Sequence, residues 1–254
     1  MKLLLIWQKR LYIRNNFINN MNGDISMKIG IIGAMQIEIE NLKPSITDQA
    51  TEKISGVEFL TGKIDGVEVV AAVSGIGKVF AAICTEIMAL HFGVDHVINI
   101  GVAGSLVPTL RVLDVAVAES AVQHDMNTTA IGDPQGLISG INIINFEADD
   151  DLRTAVTDVL GAKGINYETG VIASGDLFVD TNKQRETIRK RFDAIAADME
   201  GASIAQTCYI NKIPFTLIRS ISDADGSAMD YNTFAGKAAE QSIAIVLEVI
   251  KKIK

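Results

Sequence analysis

The sequence predicts an α/β protein of three layers, α/β/α, with a central mixed sheet, and three observations predict it. Apolar runs of strand length alternate with stretches of helical spacing along most of the chain. Two of the strand runs flank Asp65-Gly66, a hairpin signal, so the sheet is not wholly parallel. A length of 254 residues with 48% hydrophobic content is enough for one large domain with a buried core. Helices interleaved with strands place that sheet between helical layers, and the sheet is expected to curl towards a barrel.

Taken in order, residues 1–26 differ from the rest. Met1-Lys-Leu-Leu-Leu-Ile-Trp7 is interrupted at Gln8-Lys9-Arg10, too soon for a signal or membrane segment, and Asn15, Asn16, Asn19, Asn20 and Asn22 follow as a polar tract. This stretch reads as a non-native or disordered extension from an upstream start codon, with an organellar presequence as the lesser reading. The single domain is expected to span 27–254. Lys28-Ile-Gly-Ile-Ile-Gly-Ala34 is the first strand, and Met35-Gln-Ile-Glu-Ile-Glu40 opens a helix that carries Glu38 and is closed by Pro44. Strands at Val57–Ile64 and Val67–Val73 form the hairpin. Ser74-Gly-Ile-Gly-Lys78 leads into a helix from about Val79 to Phe92, stopped by Gly93. Asp95–Ile100 is a strand giving way at Gly101-Val-Ala-Gly104. Strands near Val112–Ala118 and Gly170–Ala173 are separated by a polar loop and a helix over about Asp149–Leu160. Asp193–Glu200 is a short strand, Gly201–Asn211 a helix, Ile213–Asp223 a buried strand, and about Asn232–Lys252 the last helix.

The candidate site comes from charges at strand ends. Ile213–Asp223 is so apolar that Arg219 and Asp223 need a reason to be there, and ligands of open α/β sheets bind at the carboxyl ends of strands. Asp198-Met199-Glu200 ends another strand in acids, and Glu38 follows a third. Taken singly, each acid also reads as a helix capping partner; together they suggest a site. The glycine loops at Ser74–Lys78 and Gly101–Gly104, with Ser174-Gly175-Asp176, are placed so that backbone amides approach a ligand, although none is a dinucleotide or P-loop fingerprint. Phe178 beside them is core in the ordinary reading and a stacking platform for a flat base in the functional one.

Composition narrows the partners. A net charge of −8 and a pI near 4.9 argue against nucleic acid or an anionic membrane and for a small molecule. Cys84 and Cys208 fall in apolar helical patterns as buried thiols, consistent with a reducing, cytoplasmic setting. His91, His96 and His124 lack metal-ligand spacing, with only His124-Asp125 standing out as a loop feature, so no metal is expected.

From Met27 onward the chain resembles the 5′-methylthioadenosine/S-adenosylhomocysteine nucleosidases, a branch of the nucleoside phosphorylases. The resemblance rests on Met27–Met35, Ser74–Lys78, Gly101–Gly104, Ser174–Asp176, Asp198–Glu200 and Arg219–Asp223, six motifs in order. It implies that Asp223 protonates N7 of adenine, that Glu38 activates the attacking water with help from Arg219, and that Glu200 holds the ribose hydroxyls with Met199 against the sugar. Phe178 would stack on adenine while the Val179 backbone reads its edge. Met35, Ile76 and Tyr231 would line the 5′-thioalkyl pocket, Ala103 and Gly104 would contact substrate, and Ser222 would support Asp223. It further implies a homodimer and hydrolysis without a cofactor. The alternatives are a phosphate-using purine nucleoside phosphorylase and a non-catalytic nucleoside-binding relative. An acid beside the anion position, with only Arg219 as counter-charge, favours water over phosphate. The chain departs from the family pattern in a shorter Asp223–Tyr231 segment, in Thr128–Asp133, where the family often has aromatic residues, and in Val102 between the glycines.

Overall fold

The computed structural model describes residues 27–223 and 228–254, the side chains of 228–232 excepted. Its strands are β1 (Lys28–Gly33), β2 (Thr47–Ile54), β3 (Val57–Ile64), β4 (Val67–Val73), β5 (His96–Ser105), β6 (Val115–Gln123), β7 (Phe146–Glu147), β8 (Tyr167–Ser174), β9 (Ala194–Asp198) and β10 (Phe215–Asp223). The helices are α1 (Gln36–Ile39), α2 (Lys78–Ile87), α3 (Asp150–Lys163), α4 (Asn182–Phe192), α5 (Gly201–Asn211) and α6 (Ala228–Ile253), with a 3-10 turn at Glu40–Ser45 and a wider π turn at Met88–Phe92 prolonging α2.

The sheet runs β10-β6-β8-β9-β5-β1-β4-β3-β2, and β10 also pairs with β5. Those extra bonds close β5, β10, β6, β8 and β9 into a ring, from which β1, β4, β3 and β2 extend as an open wing. β5 makes both possible because it is long: His96–Asn99 pairs with β1, Val97–Gly104 with β10, and Gly104 and Ser105 with β9. Residues alternate between faces along each strand, so a strand covered on both sides must be apolar throughout. On β10, Ile218 packs with Val156 and Leu160 of α3 and Val246 and Val249 of α6. Its neighbour Leu217 joins the opposite cluster, with Cys84 of α2 and Ile204 and Cys208 of α5. This double cover is the physical reason for the unbroken apolar run.

The expected three layers, mixed sheet and curl are present, with local corrections. Asp65 and Gly66 both have positive φ, 49° and 87°, as a tight hairpin turn requires. A second such turn, Ser55-Gly56 with φ 50° and 85°, joins β2 to β3. Strand β2 was not anticipated, because its side chains are exposed and carry no apolar alternation. β5 does not give way at Gly101 but runs on to Ser105. α6 starts at Ala228, one turn earlier than Asn232. α4 was also unread: its buried positions are Arg185 and Ile188, so hydrophobic periodicity is faint, although Thr181 and Gln184 form a capping box at its start. The expected extension 1–26 lies outside the described residues.

Candidate active site

A cavity opens at the carboxyl ends of the strands, and the three acids singled out in the sequence line it together: Glu38, Glu200 and Asp223. Met35, Ile76, Ala103, Gly104, Phe178, Val179, Met199 and Ser222 line it too. Ala34, Val102, Leu177, Ala197 and Asp198 complete the lining and had not been singled out as site residues. Tyr231 belongs to α6, and its side chain lies outside the described residues. Among the described residues no group of His, Cys, Asp or Glu is placed to hold a metal ion.

Glu38 is nearly inaccessible, at 2% exposure, and its carboxylate is gripped by backbone. Oε2 accepts from the N–H of Ala34 at 2.6 Å and of Met35 at 2.9 Å, and Oε1 from the N–H of Val102 at 3.3 Å. Burial raises its pKa, opposed by those amides and by the charge of Arg219. A raised carboxylate is a better proton acceptor for water.

Glycines on β5 make room for the acids above them. A Cβ on Gly101 would stand 3.0 Å from Glu38 Oε1, and one on Gly104 would stand 3.1 Å from Asp223 Oδ2. The Gly101–Gly104 motif therefore works by close approach of side chains to a continuous strand, not by ending the strand. A bulge in the β10–β5 register between Ile221 and Asp223 explains how neighbours Ser222 and Asp223 both face the cavity. Ser222 Oγ donates to Asp223 Oδ1 at 3.2 Å, and Arg185 Nη2 donates to Asp223 Oδ2 at 2.6 Å.

Glu200 is fixed from a distance in sequence. The N–H of Gly77 donates to Glu200 Oε1 at 2.8 Å, and the next amide, Lys78, donates to Asp176 Oδ1 at 2.8 Å. Gly77 has φ 96°, which a side chain would strain. The Lys78 ammonium sits 2.6 Å from Asp125, whose other oxygen accepts from the Asp176 N–H at 2.9 Å. Thus the Ser74–Lys78 loop, read in the sequence as a turn whose amides could approach a ligand, commits these two amides to protein carboxylates and clamps Glu200. His124 lies behind this clamp, buried, its pKa lowered mainly by that burial.

Arg219 lies behind the cavity wall. It is 1% exposed and absent from the cavity lining. Its Nε and Nη2 donate to Asp198 Oδ2 at 2.8 and 2.6 Å, and its remaining bonds go to Asn99 and to the Ile218 carbonyl. It therefore braces the site from behind through Asp198, and its charge also acts on Glu38. Asp198 also accepts from Ser174 Oγ and from the Gly201 N–H. The missed signal was the first acid of Asp198-Met-Glu200, an acid inside a buried strand end.

Burial first, then the charge of Asp198, push Glu200 up to about 7, against the pull of the Gly77 N–H and of Arg219. Its ordinary value is 4.5, so folding favours the protonated form. Its contribution to stability is therefore largest below about 4.5 and is lost as pH rises to about 7. Glu200→Gln removes this dependence while its amide oxygen can still accept from Gly77. The variant should melt above wild type at pH 8, by roughly 3 kcal/mol of stability at most, and alongside it near pH 4.5. A pH-independent gap between the two melting curves would contradict this.

Chemically, the lining presents Glu38, Asp198, Glu200 and Asp223 and, among the described residues, no Lys or Arg. Such a wall repels a phosphate dianion and suits proton transfer to and from a neutral substrate.

Comparison with known proteins agrees in extent with the whole described chain. The model of the phosphorylase superfamily matches residues 28–251. A 5′-methylthioadenosine/S-adenosylhomocysteine nucleosidase of Staphylococcus carnosus is 45% identical over 228 residues, covering 89% of this chain and 100% of that protein. The solved nucleosidase of the same description from Colwellia psychrerythraea, in complex with adenine, superposes with a TM-score of 0.85 at 38% identity, covering 89% of this chain and 95% of that one. The futalosine hydrolase of Helicobacter pylori superposes at 0.86 with 37% identity, covering 90% and 99%.

Proposed function

The chain belongs to the phosphorylase superfamily and, within it, to the 5′-methylthioadenosine/S-adenosylhomocysteine nucleosidases, and from that premise we propose how its site performs the reaction. It hydrolyses the N-glycosidic bond of 5′-methylthioadenosine and S-adenosylhomocysteine, releasing adenine and the 5′-thioribose. Since a futalosine hydrolase shares the fold, the choice of substrate rests on the sequence relatives.

The observation that carries the mechanism is the convergence of Glu38, Glu200 and Asp223 on one cavity with no basic side chain in its described lining. The base stacks on Phe178 with Asp223 at N7. Glu200 accepts from the ribose hydroxyls, and Glu38 takes a proton from water. The C–N bond breaks with its electron pair going to the purine, Asp223 supplies the proton that makes adenine a tolerable leaving group, and the oxygen of the deprotonated water bonds to the anomeric carbon. As the sugar becomes cationic, the hydrogen bonds to Glu200 strengthen, which favours the transition state over the bound substrate. Adenine release from 5′-methylthioadenosine in phosphate-free buffer, unchanged by added phosphate, is the expected result. Release that requires phosphate and yields a ribose 1-phosphate would replace this reading with the phosphorylase.

We also propose a cytoplasmic homodimer. Support for the dimer comes from Ile76, Val79, Phe80 and Ile83, all more than 40% exposed on and before α2 and continuous with exposed Leu177 and Phe178 at the cavity. An apolar face of this kind marks an interface, and one adjoining the cavity lets a second copy close it. Phe80→Asp should convert the dimer to monomer in sedimentation and raise KM more than it lowers kcat. Wild-type protein sedimenting as a monomer would overturn the dimer. Support for the cytoplasm comes from two free, buried cysteines, with burial pushing the Cys84 thiol up to about 12.

A further inference from the structure

We propose that Arg185 is a positioning residue for the reaction: it acts through Asp223, aiming the carboxyl and stabilising the negative charge that Asp223 acquires as it gives its proton to the purine. The inference rests on the mechanism proposed above and adds a residue to it.

Arg185 projects from the first turn of α4, an otherwise polar helix, yet is only 7% exposed. A buried guanidinium is costly unless paired. Its pairing is specific: Nη2 lies 2.6 Å from Asp223 Oδ2. The oxygen opposite, Oδ1, accepts from Ser222 Oγ at 3.2 Å. These donors, one on each oxygen, hold the plane of the carboxyl at the cavity wall. Gly104 is part of the device, since a Cβ there would stand 3.0 Å from Arg185 Nη2 and 3.1 Å from Asp223 Oδ2.

The charges around Asp223 show why a cation belongs here. Among the described residues, Glu38 of α1, Asp198 of β9 and Glu200 share the cavity wall with it, and Arg219 on its own strand is turned to Asp198. In the proposed mechanism Asp223 brings a proton to the bound substrate. In the transition state the proton passes from the Asp223 oxygen to the base nitrogen, the C–N bonding pair moves onto the purine, and a new carboxylate forms on a wall that already carries Glu38, Asp198 and Glu200. Arg185 meets that charge where it develops. An interaction stronger in the transition state than in the ground state accelerates the step.

The test uses two substrates that share the 5-methylthioribosyl group and differ in how much their leaving groups need the acid. One is 5′-methylthioadenosine; the other is 5-methylthioribose carrying a 4-nitrophenoxy group at C1, whose leaving group departs without protonation. Arg185→Met should lose about 10- to 100-fold in kcat on the first and less than about 3-fold on the second. Arg185→Lys, which restores the charge without the planar fork, should recover part of the loss. Equal losses on both substrates would show a merely structural pair and overturn the proposal, as would no loss on either. If Arg185→Met does not fold, Arg185→Gln, judged by its melting curve, carries the same comparison. Wild-type activity on 5′-methylthioadenosine is read in the same assay, so failure of the proposed function is distinguishable from failure of this inference.

Discussion

Asp223→Asn should lower kcat for adenine release from 5′-methylthioadenosine by about 10²- to 10⁴-fold, the usual contribution of a general acid, while KM moves by a few-fold only. Adenine expelled as an anion is a poor leaving group, and an amide cannot hand over the proton that prevents this. The substitution is nearly isosteric, so Ser222 and the cavity wall keep their places. It does leave Arg185 facing a neutral partner, and a buried cation stripped of its counter-charge costs several kcal/mol. Rates must therefore be measured where a melting curve shows the variant to be folded. The activated 4-nitrophenoxy substrate offers an internal control, because it should be cleaved by Asp223→Asn at close to the wild-type rate. Full activity on 5′-methylthioadenosine would end the proton-donor assignment.

The place of Asp223 in the cavity was legible in the sequence because acids recur at the ends of three buried strands. Ile213–Asp223 had to be apolar to sit between α3 and α6 on one face and α2 and α5 on the other, and Asp223 stood out against it. Glu38 and Glu200 were legible for the same reason, as acids directly after buried strands. What the sequence hid were partnerships across long separations. Nothing local tells that Arg185 reaches Asp223, 38 positions away, or that the amide of Gly77 serves Glu200, 123 positions away. The resemblance assigned Arg219 to a water, and what the sequence did not show is the buried pair it makes with Asp198, 21 positions away. β2 and α4 escaped because each lacks a clear apolar period, the first being an exposed edge and the second burying an arginine.

The Arg219 finding makes Asp198 the residue whose change should cost the fold most. Arg219 is 1% exposed, and Asp198 supplies the carboxylate oxygen that receives two of its nitrogens. Asp198→Asn leaves the shape nearly intact and removes the charge, so the guanidinium stays buried without its direct ion-pair partner. Breaking a buried pair in this way costs about 3–5 kcal/mol, or about 6–20 °C in Tm for a chain of this size. The same change should also move the chemistry. Asp198 is the nearest cause, after burial, of the raised Glu200 carboxyl, and Arg219 opposes it. Removing the first and releasing the second both favour ionised Glu200, so the acid limb of kcat/KM, near 7 in wild type if Glu200 sets it, should shift to lower pH. Adding Arg219→Met removes the stranded charge and should recover much of the lost Tm, because a neutral buried pair carries no desolvation debt. If Asp198→Asn melts with wild type, Arg219 finds its compensation elsewhere. If the acid limb stays in place while Tm falls, Glu200 does not set it.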